Sequence, residues 1–133
     1  MLIIVNEENQ VARSFRLTIG LIEGYSGGKL HTQEEVGEIV AEWLLEQKRD
    51  NKPYLPGCII AGTIFYYGRE SAKLIAEPVA LYEGDVSPEY NAGLTDADVI
   101  STLHELAVIL AERLNQVRIY LRYNGVIQIL QRS

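Results

Sequence analysis

The sequence predicts one α+β domain with the ferredoxin-like element order β-α-β-β-α-β, followed by an added C-terminal hairpin strand. Three observations predict this fold: runs in which apolar and polar residues alternate, two capped amphipathic helical stretches, and an Asn-Gly turn near the end. We expect two helices on one face of an antiparallel sheet. At 133 residues the chain has room for one domain, 1–133, in which residues 1–10 form an extra edge strand or an arm.

The first predicted strand lies in residues 11–23, where apolar and polar side chains alternate. Its apolar set is Phe15, Leu17, Ile19 and Leu21. A shorter apolar run at 2–5, separated from it by a polar turn at 6–10, is a possible additional strand.

Two helices are predicted from their caps and their apolar stripes. Thr32 with Glu35 forms a capping box before the first helix, which ends near residues 50–53. Thr95 with Asp98 plays the same part before the second helix, which ends near residue 115. The stripes repeat every three or four residues and consist of Val36, Ile39, Val40, Trp43 and Leu44, and of Val99, Leu103, Leu106, Leu110 and Leu114.

The remaining strands form two hairpins. Residues 58–67 and 72–83 are joined by a short connection at 68–71, and residues 117–123 and 126–130 flank Asn124-Gly125. In the first hairpin both odd and even positions are largely apolar, so neither face suits open water. Two helices cover only one face of a sheet. The sequence therefore predicts a homo-oligomer that forms through the sheet face away from the helices.

Composition excludes several partners. A net charge of −6 and a pI near 4.9 disfavour a nucleic-acid surface, which needs clustered basic residues. No run approaches the ~20 apolar residues of a membrane span, so we expect no membrane partner and a cytoplasmic protein. Cys58, the one cysteine, lies in an apolar strand pattern and is expected to be buried. The sequence predicts no cofactor and no metal site.

The strand alternation predicts a group of basic side chains on the open sheet face. Arg16 of the first strand and Arg118, Tyr120 and Arg122 of the fourth all point away from the helices. Guanidinium groups bind carboxylates and phosphates through paired hydrogen bonds, which favours a pocket for a small anionic ligand. The competing interpretation is an oligomer interface in which Glu77 pairs with one of these arginines.

The glycine-rich loop at 24–29 is a second candidate. Lys29 adds a positive charge close to a helix N-terminus, where free N–H groups favour anions. The loop does not match a phosphate-binding P-loop, because Leu30 follows the lysine. His31 comes next and is expected to be a surface residue.

Two functional hypotheses follow, with a structural subunit of a larger complex as a third. The first is a non-enzymatic assembly or small-ligand-binding module, because no catalytic motif is recognisable. The second is a small enzyme that acts on an anionic metabolite in a cleft between subunits. The arginines would hold the anion, and His31, Glu77 or Tyr66 would transfer protons.

Overall fold

The structure is a computed structural model that describes residues 1–6, 10–24, 28–68 and 72–133. The predicted turn at 6–10, the glycine-rich loop and the 68–71 connection lie partly outside the described residues. The elements confirm the predicted α+β order. In chain order they are β1 (Ser14–Gly20), α1 (Gln33–Arg49), β2 (Cys58–Tyr67), β3 (Leu74–Asp85), α2 (Asp96–Arg113), β4 (Arg118–Tyr123) and β5 (Val126–Gln131).

The five strands form one antiparallel sheet in the order β2-β3-β1-β4-β5. The first four strands of this order have the ferredoxin-like arrangement, and β5 extends the sheet beyond β4 as the C-terminal hairpin. Both helices pack on the same face, with β1 in the middle. The opposite face, which we call the open face, has no helix over it.

Both helix starts have the predicted caps. The Glu35 amide donates to the Thr32 hydroxyl at 3.1 Å, and the Glu35 carboxylate accepts from the Thr32 amide at 3.2 Å. Thr95 and Asp98 form the same reciprocal pair at 3.1 and 2.9 Å. These hydrogen bonds, first of all that from the Thr95 amide, lower the pKa of Asp98. The caps fix where each helix begins and hence which side chains face the sheet.

The hydrophobic core lies between the helices and the covered face of the sheet. Alternate residues of β1 and β4 point into it, and the helix stripes close it from above. The largest side chains with less than 2% exposure include Leu17, Ile19, Trp43, Leu55, Tyr82, Leu103, Leu106, Leu110, Ile119 and Leu121. This one layer of apolar side chains holds the sheet rigid beneath the open face.

One local expectation about burial differs from the structure. Cys58 is exposed, so the prediction of a buried thiol is wrong. The reason is its place at the start of edge strand β2, in register with Glu83 of the open face. Residues 2–5 form no strand in this chain and are exposed. No helix in the described ranges is long and apolar enough to cross a membrane.

Candidate functional site

The open face is organised as rows of side chains that run across the strands. Register places one apolar row across its middle, with a single threonine in β1. Ile60, Tyr120 and Ile129 are 39%, 41% and 57% exposed. The full row is Ile60, Leu81, Thr18, Tyr120 and Ile129. This row presents a flat apolar strip on a rigid sheet.

A charged row lies beside the apolar row, towards the start of β1. It contains Glu83, Arg16 and Arg122 on neighbouring strands. The Arg16 Nε atom donates to the Glu83 Oε2 atom at 2.7 Å. Arg122 is exposed and has no ion pair among the described residues. An open depression of about 630 Å³ lies over this row, and Arg122 is its unpaired cation.

At the other end of the open face, Glu77 and Tyr66 lie together. The Tyr66 hydroxyl donates to the Glu77 Oε2 atom at 3.2 Å, and both residues are half-buried. Gly20 makes room for this carboxylate, because a Cβ atom there would lie 3.0 Å from Glu77 Oε1 and 2.8 Å from Gln116 Oε1. Within one chain, Arg16 pairs with Glu83, and no arginine among the described residues pairs with Glu77. The pairing of Glu77 with an arginine across an oligomer interface stays a prediction.

The two charged ends of the open face are well separated within one chain. Gly20 pairs with Val79, and Arg16 pairs with Arg122, so Glu77 and Arg122 lie about six residues apart along the strands and two strands apart across the sheet. With ~3.3 Å per residue and ~4.8 Å per strand, the backbone separation is about 22 Å. The face therefore has Glu77 and Arg118 on one side of the apolar row, and Glu83, Arg16 and Arg122 on the other side.

His31 lies away from this arrangement, at the start of α1. Its Nε2 atom is 2.7 Å from Glu23 Oε1, and its Nδ1 atom is 2.7 Å from Glu35 Oε2. It is 4% exposed, so the prediction of a surface histidine is wrong. The reason is a backbone hydrogen bond of 2.7 Å from the His31 amide to the Leu21 carbonyl, which folds the segment back onto the end of β1.

The contacts between His31 and its two carboxylate neighbours shift the pKa of all three groups. Burial lowers the pKa of His31, but the hydrogen bonds that the ring makes to Glu35 and Glu23 outweigh it and raise the pKa above its usual value. The same contacts hold the pKa of Glu23 and of Glu35 below the usual range. Both ring nitrogens contact carboxylates, so His31 links the end of β1 to the start of α1 through Glu23 and Glu35, and we call this contact the His31 junction. The part of His31 in proton transfer stays a prediction.

Lys29 lies at the His31 junction and not beside the arginines of the open face. Its carbonyl accepts from the Glu23 amide at 2.9 Å, and its charge contributes to the lowered pKa of Glu23 and Glu35. The structure thus brings Arg16, Arg118, Tyr120 and Arg122 to one face and places Lys29 elsewhere. In the part of the chain that is described, no group of three or more His, Cys, Asp or Glu side chains is placed to hold a metal ion.

Sequence reasoning missed Glu83 and Gly20. The alternation of side chains along β3 could have placed Glu83 on the open face, because it is an odd-numbered residue, like Glu77, and so faces the same side. The part played by Gly20 depends on where the ends of two long side chains meet, which a sequence pattern does not encode.

No protein-family model matches the chain, and no curated protein matches it significantly. Two solved structures share its fold. One is a phage SAM lyase in complex with S-methyl-5′-thioadenosine, at 16% identity, 97% coverage of this chain, 96% coverage of that chain and a TM-score of 0.66. The other is a phage SAM lyase in the apo state, at 19% identity, with coverages of 96% and 95% and a TM-score of 0.63. At these identities the likeness shows the fold over nearly the whole chain.

Proposed function

We propose that this protein is an enzyme that cleaves S-adenosylmethionine and releases S-methyl-5′-thioadenosine, in a cleft between the open faces of two subunits. The observation that carries the proposal is the fold. It matches over 97% of the chain a phage SAM lyase bound to S-methyl-5′-thioadenosine. The open face of this chain supplies the chemistry that such a ligand needs.

The charges and surfaces of S-adenosylmethionine fit the rows of the open face. Its adenine ring suits an apolar strip that contains an aromatic side chain, here Tyr120. Its carboxylate suits the unpaired guanidinium of Arg122, which offers two parallel hydrogen bonds. Its sulfonium and amino groups are cations, and they suit the Glu77 carboxylate that Tyr66 holds in place.

One chain alone does not bring these groups around a single small molecule, because Glu77 and Arg122 are about 22 Å apart by strand geometry. A second copy stacked in the opposite direction on the open face would place its Arg122 over the Glu77 end of the first. The apolar row supports such a contact, since Ile60, Tyr120 and Ile129 are exposed in the single chain. Each cleft would then combine Glu77 of one subunit with Arg122 of the other.

The reaction breaks the bond between the sulfonium sulfur and the γ-carbon of the methionine part. The bonding electron pair stays on sulfur, which becomes the neutral thioether of S-methyl-5′-thioadenosine. A lyase adds no water, so the remaining carbon fragment completes its bonding at the γ-carbon in one of two ways. Its own carboxylate forms a C–O bond to the γ-carbon, or a base removes a β-proton and a C=C bond forms. In the first route Glu77 binds the cationic groups of the substrate and so positions the γ-carbon for attack, and in the second route it is the proton acceptor.

The test is direct product analysis. Purified protein is incubated with S-adenosylmethionine, and S-methyl-5′-thioadenosine is measured by chromatography. We expect release by the natural sequence and at least a ~100-fold loss in Glu77→Gln, the range expected when a positioning or proton-accepting group is removed. Glu38→Gln, an exposed change on α1, is the matched control and should keep full activity. Absence of product together with absence of S-methyl-5′-thioadenosine binding by calorimetry contradicts the proposal.

A ligand-binding or assembly module is the second candidate. It is favoured by the many apolar side chains that β2 and β5 leave exposed, such as Phe65 at 65% and Ile127 at 67%. Binding of S-methyl-5′-thioadenosine without turnover of S-adenosylmethionine would select it over the enzyme.

A further inference from the structure

We infer that residues 2–5 are exchanged between two copies of the chain and add a strand to the outer edge of β5 of the second copy. This contact lies along the outer edge of β5, where the apolar row ends at Ile129, and it goes beyond the proposed function. It follows from a match between one exposed segment and one unprotected edge of the same fold.

The exposed segment is the run Leu2-Ile3-Ile4-Val5. Its four side chains are 100%, 75%, 67% and 82% exposed. Three of the four residues are β-branched, which favours an extended strand. In the part of the chain that is described, no strand pairing involves this run. A contiguous apolar segment of this kind marks a contact surface.

The matching edge belongs to β5, the last strand in the sheet order. Its residues, Val126–Gln131, include no proline and no charged side chain of the kind that protects an edge from pairing. Val126, Ile127 and Ile129 are 59%, 67% and 57% exposed. The outer backbone groups of β5 are therefore open to a further strand.

Both faces of an added strand would find apolar partners there. On the helix side, a groove of about 780 Å³ runs between α2 and β5, and its lining includes Val108, Ala111 and Leu130. On the open side, Ile127 and Ile129 continue the sheet surface. Alternate residues of a strand point to opposite faces, so Leu2 with Ile4 fills one side and Ile3 with Val5 the other. A segment that is apolar on both faces suits this edge.

The lack of pairing within the chain favours a second copy over the chain's own β5. The Asn124 amide donates to the Ser14 carbonyl at 2.9 Å, so the chain enters β1 beside the turn that starts β5. The chain's own β5 lies only two strands from β1, yet in the described part of the chain residues 2–5 pair with no strand. Nine residue steps separate Val5 from Ser14 and span up to ~30 Å, enough to reach a neighbour. Two copies related by a twofold axis exchange identical segments in this way.

Disulfide trapping tests the exchange. In a Cys58→Ser background, Ile129→Cys is combined with either Ile3→Cys or Ile4→Cys, and the oxidised protein is run on a non-reducing gel. We expect a covalent dimer with only one of the two segment positions, because neighbouring residues face opposite sides. Ile64→Cys on β2 at the other sheet edge, 38% exposed, is the matched control and should give no dimer.

Four results overturn the inference: a disulfide within one chain, equal trapping by both segment positions, trapping through Ile64→Cys, or no trapping. All the replaced positions are exposed or at an edge, so the variants should fold. Release of S-methyl-5′-thioadenosine by a chain that lacks residues 2–5 is measured in parallel. If S-methyl-5′-thioadenosine is released but no dimer is trapped, the proposed function stands and the strand exchange fails. If a dimer is trapped but no S-methyl-5′-thioadenosine is released, the strand exchange stands and the proposed function fails.

Discussion

The two faces of the sheet are built from the same strands but have opposite characters. On β4, Ile119 and Leu121 are each 1% exposed under the helices, whereas Tyr120 between them is 41% exposed on the open face. In β1 and β4 the covered face consists of apolar and aromatic side chains. The open face alternates an apolar row with a charged one and holds Glu77 towards one end and Arg16 and Arg122 towards the other.

This difference separates what holds the fold together from what is free to bind. Burial of apolar area stabilises the domain through the covered face, with each fully buried side chain contributing about 1.5–3 kcal/mol. The open face contributes little to the single chain in this way, so its residues are free to serve a ligand or a second subunit. Three predictions test this division between the two faces of the sheet, and one tests the His31 junction.

The largest effect on stability is expected at the covered face. Leu121→Ala should lower the free energy of unfolding by about 2–5 kcal/mol, because it leaves a cavity between the sheet and the helices. Tyr120→Ala, the next residue on the opposite face, should cost under ~1 kcal/mol. Urea unfolding at low protein concentration measures both. Equal losses would contradict the division between the faces.

The next largest effect is expected in the turnover of a mixture of two variants. Glu77→Gln and Arg122→Ala should each lose most turnover of S-adenosylmethionine when assayed alone. After subunit exchange, an equal mixture should regain roughly a quarter of the natural activity, because one cleft of each mixed pair contains both natural residues. A mixture no more active than its components would place both residues in the same chain's site or outside any site.

The His31 junction predicts a pH dependence of stability. Its raised pKa means that its contribution is full at low pH and is lost as pH rises through the folded-state pKa, above the ordinary 6.5. The lowered pKa of Glu23 and Glu35 gives the opposite limb, a contribution lost as pH falls below about 4.5, the ordinary carboxyl value. Stability should therefore be highest between these limits.

Replacing the histidine should flatten the alkaline limb. His31→Gln should lower the free energy of unfolding by roughly 1–3 kcal/mol at pH 6 and by less at pH 9. His104→Gln is the control, because His104 is half-buried and makes one side-chain hydrogen bond, to Gln128 at 2.8 Å. The same pH profile in both variants would refute the part assigned to the junction.

The smallest effect is expected at Gly20. A methyl group there would lie 2.8 Å from Gln116 Oε1 and 3.0 Å from Glu77 Oε1, so Gly20→Ala should move the ends of both side chains by a few tenths of an ångström. We expect turnover to fall about tenfold with little loss of stability, since only the flexible ends of side chains must shift. Gly93→Ala, where no atom lies within 4 Å of the new carbon, should leave turnover unchanged.

Much of the fold was predictable because local signals and burial agree. Thr32 and Thr95 cap both helices as expected, and the Asn124-Gly125 turn joins β4 to β5. The arginines of the open face follow from alternation alone. The partners of charged groups were not predictable, since the choice of Glu83 over Glu77 for Arg16 depends on cross-strand register. Burial of His31 depends on a backbone contact with Leu21 that no periodicity reveals.

In the proposed enzyme, a nucleoside thioether binds on the open face between two subunits. Sedimentation velocity with and without S-methyl-5′-thioadenosine tests it, at a protein concentration where monomer and oligomer coexist. A ligand shared by two subunits stabilises their association, so we predict that S-methyl-5′-thioadenosine shifts the mass distribution towards the oligomer. Binding that is detected by calorimetry but leaves the mass distribution unchanged would contradict the claim.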